Sequence, residues 1–336
     1  YSNYEAFRLR QQQGATRVIL TDSARQGIFT YLDTAGNLRQ VDLPRASGLS
    51  INPTTKALID KVPAGSNINR RDVGDFNAAA GRHLNIGGYQ FNIQNNRTRD
   101  NATFKMDYLL NSKHGFSASY IWNRDLVDRP DLANDFSTAP KVQNDNSTPL
   151  LSTTWRWTAS PTFTNEARGG MNIAPAVFAS TENFGNAIFA LPLVSNPVNT
   201  FRAQGRYSDT FNWQDNATWI KNRHTFQFGY QGQRINVKSF NDAGITPVYG
   251  VGLSAANQLD VNALLPGVRA TDLGLGIGLL TLQAGILASV AQTFNVAGRT
   301  GGFVPGTAQV RNWRLNNHAF YPVSYTHLTL PTNREV

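Results

Sequence analysis

Cysteine is absent from the 336-residue sequence, and charged residues are few. Without cysteine the chain can form no disulfide and no thiolate metal site, which is compatible with the periplasm or the cell surface. Charged residues make up only 16% of the chain, whereas aromatic residues are numerous, at 11%. Asn and Gln are abundant, and this mixture is poor in helix formers and rich in strand formers. The composition therefore predicts an all-β protein.

Catalytic and cofactor motifs are also missing. The sequence contains no G-x-S-x-G and no H-x-x-x-H, and it has no EF-hand-like ladder of acids. The G-x-G-x-G spacing at Gly274 to Gly278 lacks the preceding strand and the following amphipathic helix of a dinucleotide site. Asp72 and Asp75 are interpreted as solvated loop acids, and "NDNST" at Asn144 to Thr148 as an Asx-rich turn rather than a calcium site. The sequence thus predicts no enzyme, no cofactor and no metal.

The net charge of +9 invites a nucleic-acid interpretation, because clustered Lys and Arg bind phosphate. In this sequence the Lys and Arg residues are scattered. The densest runs, "NRRD" at Asn69 to Asp72 and "NNRTRD" at Asn95 to Asp100, are short and contain acid. We interpret both runs as solvated loops or loops that face lipopolysaccharide, and we expect no nucleic-acid partner.

A strict alternation of large rings and polar side chains is the strongest pattern in the sequence. In "HTFQFGYQGQRI", His224 to Ile235, rings alternate with amides and Gly229. Because strand side chains point to opposite faces with a period of two, such a segment has one aromatic face and one polar face. The pattern recurs in pairs of segments separated by the short breaks "NSKHG", "SPT" and "KNR". These pairs predict β-hairpins.

The aromatic faces would point into the core of a soluble sandwich, but toward lipid in a membrane barrel. In the barrel the predicted lipid-facing residues are Phe104, Tyr108, Tyr120, Trp122, Trp155, Trp157, Trp213, Trp219, Phe226, Phe228 and Tyr230. The predicted lumen-facing residues are Lys105, Asp107, Arg156, Glu166, Arg168, Gln227 and Gln231. Asp215 also falls on the aromatic face. This carboxylate needs either a bulge that turns it away or a position near the headgroups.

Long segments separate the hairpins, at Gln11 to Gly88, Asp125 to Leu150, Ala174 to Tyr207 and Lys238 to Asn312. Short turns that alternate with long loops are typical of outer-membrane barrels, and a compact soluble domain rarely contains such long loops. Further strands are predicted at Tyr1 to Arg10, Tyr89 to Gln94 and from Asn312. The fold prediction is a partial transmembrane antiparallel β-barrel with about eight or nine strands in this sequence and long extracellular loops.

Leu273 to Gly298 carries no charge and could be taken for a membrane helix. Its glycines and two Gln residues, and the lack of a second such span, favour an apolar loop segment with a short helix at the barrel mouth. At the ends, we expect the natural N-terminus upstream of Tyr1. Residues 323–336 resemble a translated sequencing-adapter tail, so we expect barrel residues only over 1–322 and give His327 and Arg334 no role.

Several stretches resemble the Oar-like TonB-dependent outer-membrane receptors that carry a carboxypeptidase-regulatory-like domain. They are "NYEAFRLRQQ" from Asn3, "FKMDYLLNSKHGFSASY", "SPTFTNEARGGMN", "DNATWIKNRHTFQFGYQ" and "NNHAFYP". Where the family usually shows Gly-Lys before His-Thr, this sequence has Asn222 and Arg223. The resemblance implies a barrel of 22 strands in the bacterial outer membrane, with a plug and a TonB-binding segment outside this sequence.

The resemblance implies energy-coupled uptake or export of an unidentified large ligand, with TonB, outer-membrane lipid and lipopolysaccharide as partners. The external loops would capture the ligand. The alternative is a soluble or surface-attached β-rich adhesion or carbohydrate-binding protein, in which the aromatic faces are buried between sheets. An enzyme on a β-scaffold is a third class, without a catalytic constellation to support it.

Overall fold

The computed structural model describes residues 1–183 and 185–326, most of which form β-strands. In chain order the strands are β1 Ser2–Leu9, β2 Gln12–Leu20, β3 Ile28–Leu32, β4 Leu38–Asp42, β5 Arg70–Asn77, β6 Arg82–Gln94, β7 Arg97–Asn111, β8 His114–Asp128, β9 Val142–Ser160, β10 Phe163–Ile173, β11 Ala176–Ser180, β12 Ile188–Ala190, β13 Gln204–Lys221, β14 His224–Asn241, β15 Val248–Val251, β16 Leu287–Ala291, β17 Phe294–Val296, β18 Phe303–Pro305 and β19 Gln309–Thr326. The helices are α1 Asp22–Arg25, α2 Leu43–Ser47, α3 Pro53–Ile59 and α4 Ala270–Ala284. Single 3-10 turns lie at Gly65–Asn67 and Pro130–Leu132. The predicted all-β class is confirmed.

A large antiparallel sheet, the wall sheet, contains the strands in the order β1-β7-β8-β9-β10-β13-β14-β19. The short strand β11 joins the same sheet beyond the end of β10, where it pairs with both β9 and β13. Most neighbours in the sheet are also neighbours in sequence, as in an up-and-down barrel. Over the described residues the sheet is open, with β1 at one edge and β19 at the other. The predicted eight or nine wall strands are therefore present.

Short turns join the hairpins at one end of the wall sheet. They lie between Asn111 and His114, between Ser160 and Phe163, and between Lys221 and His224. Asn222 in the third turn has a φ of 56°, in the left-handed region that Asn tolerates better than most residues. All the long connections leave from the opposite end. This confirms the predicted asymmetry between turns and loops.

The strands of the wall sheet are tilted relative to the row of turns. Paired residues form a line across five strands, which passes through His114, Trp157, Asn165, Ala217 and Phe228. β8 begins on this line, β10 begins two residues before it and β14 four residues before it. The turns therefore shift by one residue per strand. With about 3.3 Å per residue and about 4.8 Å between strands, this shift corresponds to a tilt of about 35°, as in closed barrels.

The wall strands extend further from the turns than the alternation predicts. β8 continues to Asp128 and β9 begins at Val142, so much of the predicted loop Asp125 to Leu150 is strand. The ion pair between Arg124 and Asp145 joins these extensions, with Nη2 and Oδ2 2.7 Å apart. Because both faces carry polar side chains there, the sequence loses its period of two. The interpretation of Asn144 to Thr148 as an Asx-rich turn was therefore wrong.

The first long connection also begins and ends as strand. β2 continues β1 and β6 leads into β7, and the pairs Leu9 with Arg97 and Gln12 with Gln94 keep one register across the interruption. The predicted strand at Tyr89 to Gln94 is present, as part of β6. β6 and β2 extend the β1–β7 pair beyond the wall sheet, so β6 adds no strand to that sheet. β5 pairs along the other side of β6.

The long connections fold together into a cap, which we define as residues 12–94, 188–200 and 248–291. Its buried core combines side chains from all three segments: Leu20, Ala24, Phe29, Tyr31, Leu43, Ile59, Val194, Val261, Leu265, Leu279, Leu280 and Leu282. The short elements predicted in the first long loop are confirmed. The sequence did not predict that they share a core with distant loops, because each loop contributes only a few apolar residues.

Helix α4 forms the centre of the cap and accounts for the uncharged segment. Leu279, Leu280 and Leu282 are fully buried, and Gly285 ends the helix with a φ of 66°. Gly276 faces the core so closely that a Cβ there would lie 2.6 Å from Cδ1 of Leu265. Gly276, and Gly278 against Leu193, thus serve close packing in the cap. Among the described residues, no helix combines the length and the apolar character needed to cross a membrane.

The adapter-like stretch falls at the end of the last strand. Val323 to Thr326 lie in β19, where they pair with Gln227 to His224 of β14. Residues 327–336, with His327 and Arg334, lie outside the described residues.

Candidate functional site

The wall sheet has one face that carries the large rings, which we call the aromatic face. Phe104 pairs with Tyr120 and Tyr108 pairs with Phe116, so the rings of β7 and β8 point to the same face of the sheet. The same register continues through Trp155, Ala167, Asp215 and Tyr230, and all eleven rings predicted to face lipid fall on this face. Their grouping on one face is what the alternation predicts.

Of these eleven rings seven are exposed and four are half-buried, and none is packed in a core. Tyr108 is 55% exposed, Phe104 49% and Phe228 44%, which is far from the near-zero exposure of core residues such as Phe29. Within the described residues no second sheet covers these rings. An apolar surface of this size indicates contact with lipid or with another protein. The soluble sandwich, which buries these rings, is not what the fold shows.

Aromatic rings cluster near the short turns. The rings of Trp155 and Trp157 stack at 6.1 Å, and the ring of His114 stacks on both at 5.8 and 6.2 Å. In the third hairpin, Nζ of Lys221 lies 5.3 Å from the ring centroid of Trp219. Aromatic girdles with cations at their rim are characteristic of the level at which a barrel meets the headgroups.

The aromatic face has an apolar band that begins near the short turns. Charged residues mark the limit of this band on the side of the long connections. Arg124 on β8 and Arg234 on β14 each lie ten residues from the start of their strand. Ten residues tilted by about 35° rise about 27 Å, close to the ~25 Å apolar band of outer-membrane barrels.

Asp215 is the only carboxylate of the aromatic face within this band among the described residues. Its Oδ1 accepts a hydrogen bond of 2.9 Å from Nδ2 of Asn165, and Tyr230 lies directly opposite on β14. The register of β13 is regular on both sides, so no bulge turns Asp215 away. Six residues, about 20 Å of strand, separate it from Lys221. Asp215 therefore lies neither on a bulge nor close to the level of the turns, the two positions that the sequence analysis expected. Its neighbour Asn165 supplies a polar contact instead.

The opposite, polar face brings together three of the residues predicted to face the lumen. Glu166 accepts from Nε of Arg156 at 2.7 Å and from Nη2 of Arg168 at 2.5 Å. Lys105 and Asp107 form a looser pair at 3.5 Å on β7. Gln227 and Gln231 lie on the same face of β14. All seven predicted residues thus share one face, although only Arg156, Glu166 and Arg168 form a common network.

Two large cavities open at the surface of the cap. The larger, about 670 Å³, is mostly apolar and lies between α3 and the loop before β13, with Ala57, Leu58, Lys61, Phe189 and Val198 in its lining. The smaller, about 550 Å³, is lined by Arg71, Phe76, Arg82 and His83 among others. The guanidinium of Arg71 lies 5.4 Å from the centroid of the Phe76 ring. Sequence reasoning named neither cavity, because each combines residues far apart in the chain.

Hydrogen bonds hold the charges of the cap in fixed pairs. The backbone N–H of Asn37 and the guanidinium of Arg39 donate to Asp33 and keep the pKa of this carboxyl below its usual range. The Arg70 guanidinium lowers the pKa of Asp72 to about 2. The run "NRRD" is therefore an ion-paired part of β5. Asp75 accepts from the backbone N–H groups of Leu84, Asn85 and Ile86, so its interpretation as a solvated loop acid was wrong.

A family comparison identifies this architecture. The model of the outer membrane beta barrel domain matches residues 1–265. The chain belongs to this family. Its members are barrels of the bacterial outer membrane and not a class of enzymes, which places the protein in that membrane. In the part of the chain that the structure describes, no group of three or more acidic or histidine side chains could hold a metal ion.

Two further comparisons accompany the family match. The outer membrane transporter YddB from Escherichia coli is similar over 96% of this chain and 31% of that chain, at 8% sequence identity and a TM-score of 0.36. The chain thus spans less than a third of the length of that transporter. No curated protein matches the chain.

Proposed function

We propose that this outer-membrane barrel domain is part of the wall and the ligand-capturing cap of a TonB-dependent transporter. The observation that supports the proposal most directly is that long loops from both edges of the sheet join into one cap. A porin-like diffusion channel has no need of a large folded structure over its mouth, whereas a receptor for a scarce ligand needs a rigid binding surface.

In this proposal the aromatic face contacts lipid and the polar face lines the lumen. Each backbone polar group within lipid must be paired, so the two free edges at β1 and β19 require further strands to close the barrel. The network of Arg156, Glu166 and Arg168 would then contact the plug or water in the lumen. The resemblance to Oar-like receptors supports the same arrangement.

The cap is the proposed site of ligand capture, and its two cavities are candidates for the contact. Transport would be driven by TonB through parts of the receptor outside these 336 residues. The ligand would be large, since small solutes pass through open barrels without energy coupling.

A binding assay with TonB tests the energy-coupled part of the proposal. The full receptor in outer-membrane vesicles is incubated with the purified periplasmic domain of TonB, and a porin serves as control. We expect saturable capture of TonB by the receptor and background capture by the porin. Equal capture by both would exclude TonB coupling while leaving the outer-membrane barrel in place.

A further inference from the structure

Two arginines on neighbouring wall strands converge on one neutral oxygen. Nε of Arg234 on β14 and Nε of Arg314 on β19 each lie 3.3 Å from Oδ1 of Asn236. Lys238 is two residues further along β14 and points to the same face. Like charges so close repel each other unless an anion lies between or beside them.

This group differs from the other cations at the same level of the aromatic face. Arg8 pairs with Asp100 at 2.5 Å, and Arg124 pairs with Asp145 at 2.7 Å. Arg234, Lys238 and Arg314 have no carboxylate within ion-pair distance among the described residues. The one acid that faces them is Asp209, opposite Asn236 on β13. Among the described residues this group, Arg234, Lys238 and Arg314, therefore has three cations against one acid.

The position of this group indicates which anion it meets. Arg234 lies ten residues from the start of β14, about 27 Å above the turns on a strand tilted by about 35°. That is the outer limit of the apolar band, where the phosphates of outer-leaflet lipid lie. Guanidinium groups bind phosphate oxygens with two N–H donors each.

We propose that Arg234, Arg314 and Lys238 form a binding site for the phosphorylated headgroup of lipopolysaccharide on the outer wall of the barrel. Both arginines donate to one phosphate, Lys238 contributes charge, and Asn236 keeps the two guanidinium groups at the required separation. The acyl chains lie along the aromatic face below, against Phe211 and Trp213. This inference rests on the transmembrane orientation in the proposed function.

The test compares two matched pairs of arginines. Arg206 and Arg311 both lie opposite Ser239, at nearly the same level, but on the polar face. The full receptor in a nonionic detergent is titrated with lipid A that carries two phosphates, with dephosphorylated lipid A and with phosphatidylglycerol. The variants are R234Q/R314Q, the charge-preserving R234K/R314K and the control R206Q/R311Q.

We expect R234Q/R314Q to lose affinity for phosphorylated lipid A about tenfold or more, as loss of charge-assisted hydrogen bonds implies. R234K/R314K should keep part of the affinity, and R206Q/R311Q should bind as the unaltered receptor does. Equal affinity for all three lipids, or an equal loss in R206Q/R311Q, would overturn the site. The assay needs no TonB, so its failure is distinguishable from a failure of energy coupling.

Discussion

A single residue on the aromatic face conflicts with its surroundings. In the proposed orientation Asp215 lies among rings at a depth where a carboxylate is unfavourable in lipid, and among the described residues only Asn165 donates a hydrogen bond to it. Asn165 also donates to the backbone oxygen of Asn216 at 3.3 Å, so its amide keeps a partner when the carboxylate is removed.

Replacing Asp215 should therefore stabilise the barrel. We expect Asp215→Leu to raise the free energy of unfolding by about 1 kcal/mol, less than the ~2–4 kcal/mol penalty of a midplane Arg or Lys. Urea unfolding of the receptor in lipid vesicles measures this change. Asp215→Asn, which keeps the shape without the charge, should change stability in the same direction. Destabilisation by both variants would mean that the carboxylate has a partner in the membrane.

At the scale of elements, the sequence predicted the hairpins accurately for the part of each strand that lies in the apolar band. Residues Phe226, Phe228 and Tyr230 alternate with Gln227 and Gly229, as the proposed orientation requires of a strand between lipid and water. Beyond Asp125 on β8 this alternation ends, so the strand extension could not be predicted from it. The core of the cap could not be predicted from the sequence for another reason. Its core forms between segments more than 200 residues apart, such as Phe29 and Leu279.

Helix α4 offers a matched pair of glycines that tests the packing of the cap. A Cβ at Gly276 would lie 2.6 Å from the side chain of Leu265, whereas nothing lies within 4 Å of a Cβ at Gly274. We expect Gly276→Ala to destabilise the cap by about 1–3 kcal/mol through overpacking. Gly274→Ala should stabilise it by about 0.5–1 kcal/mol through helix propensity.

Limited proteolysis of the receptor in membranes measures both glycine variants. Faster cleavage of the cap in Gly276→Ala and slower cleavage in Gly274→Ala are the expected results. The same rate in both variants would show that α4 does not pack against Leu265.

At the scale of the whole molecule, the proposed function gives the cap and the wall sheet different tasks. The loops in residues 11–88 and 238–312 share the core of the cap, while the hairpins are held by their own register in the wall sheet. Ligand choice should therefore depend on the two loops jointly, and insertion on neither.

Exchanging loops with those of another receptor of the family tests this division. Exchange of both segments should change ligand binding and leave heat-modifiable gel mobility unchanged. Exchange of residues 11–88 alone should expose the cap to proteases, because the buried leucines of α4 would lose Phe29 and Tyr31 as packing partners. Unchanged ligand binding after the double exchange would contradict ligand capture by the cap.

The orientation of the wall sheet is the central claim, and nitroxide accessibility at two adjacent residues of β14 tests it. Because these 336 residues contain no cysteine, Phe228→Cys and Gln227→Cys each give one label site within them. In membranes, we predict that the label at 228 collides mainly with oxygen dissolved in lipid and the label at 227 mainly with a water-soluble nickel complex. The reverse pattern, or a label at 228 shielded from both reagents, would contradict a wall whose rings face the hydrocarbon.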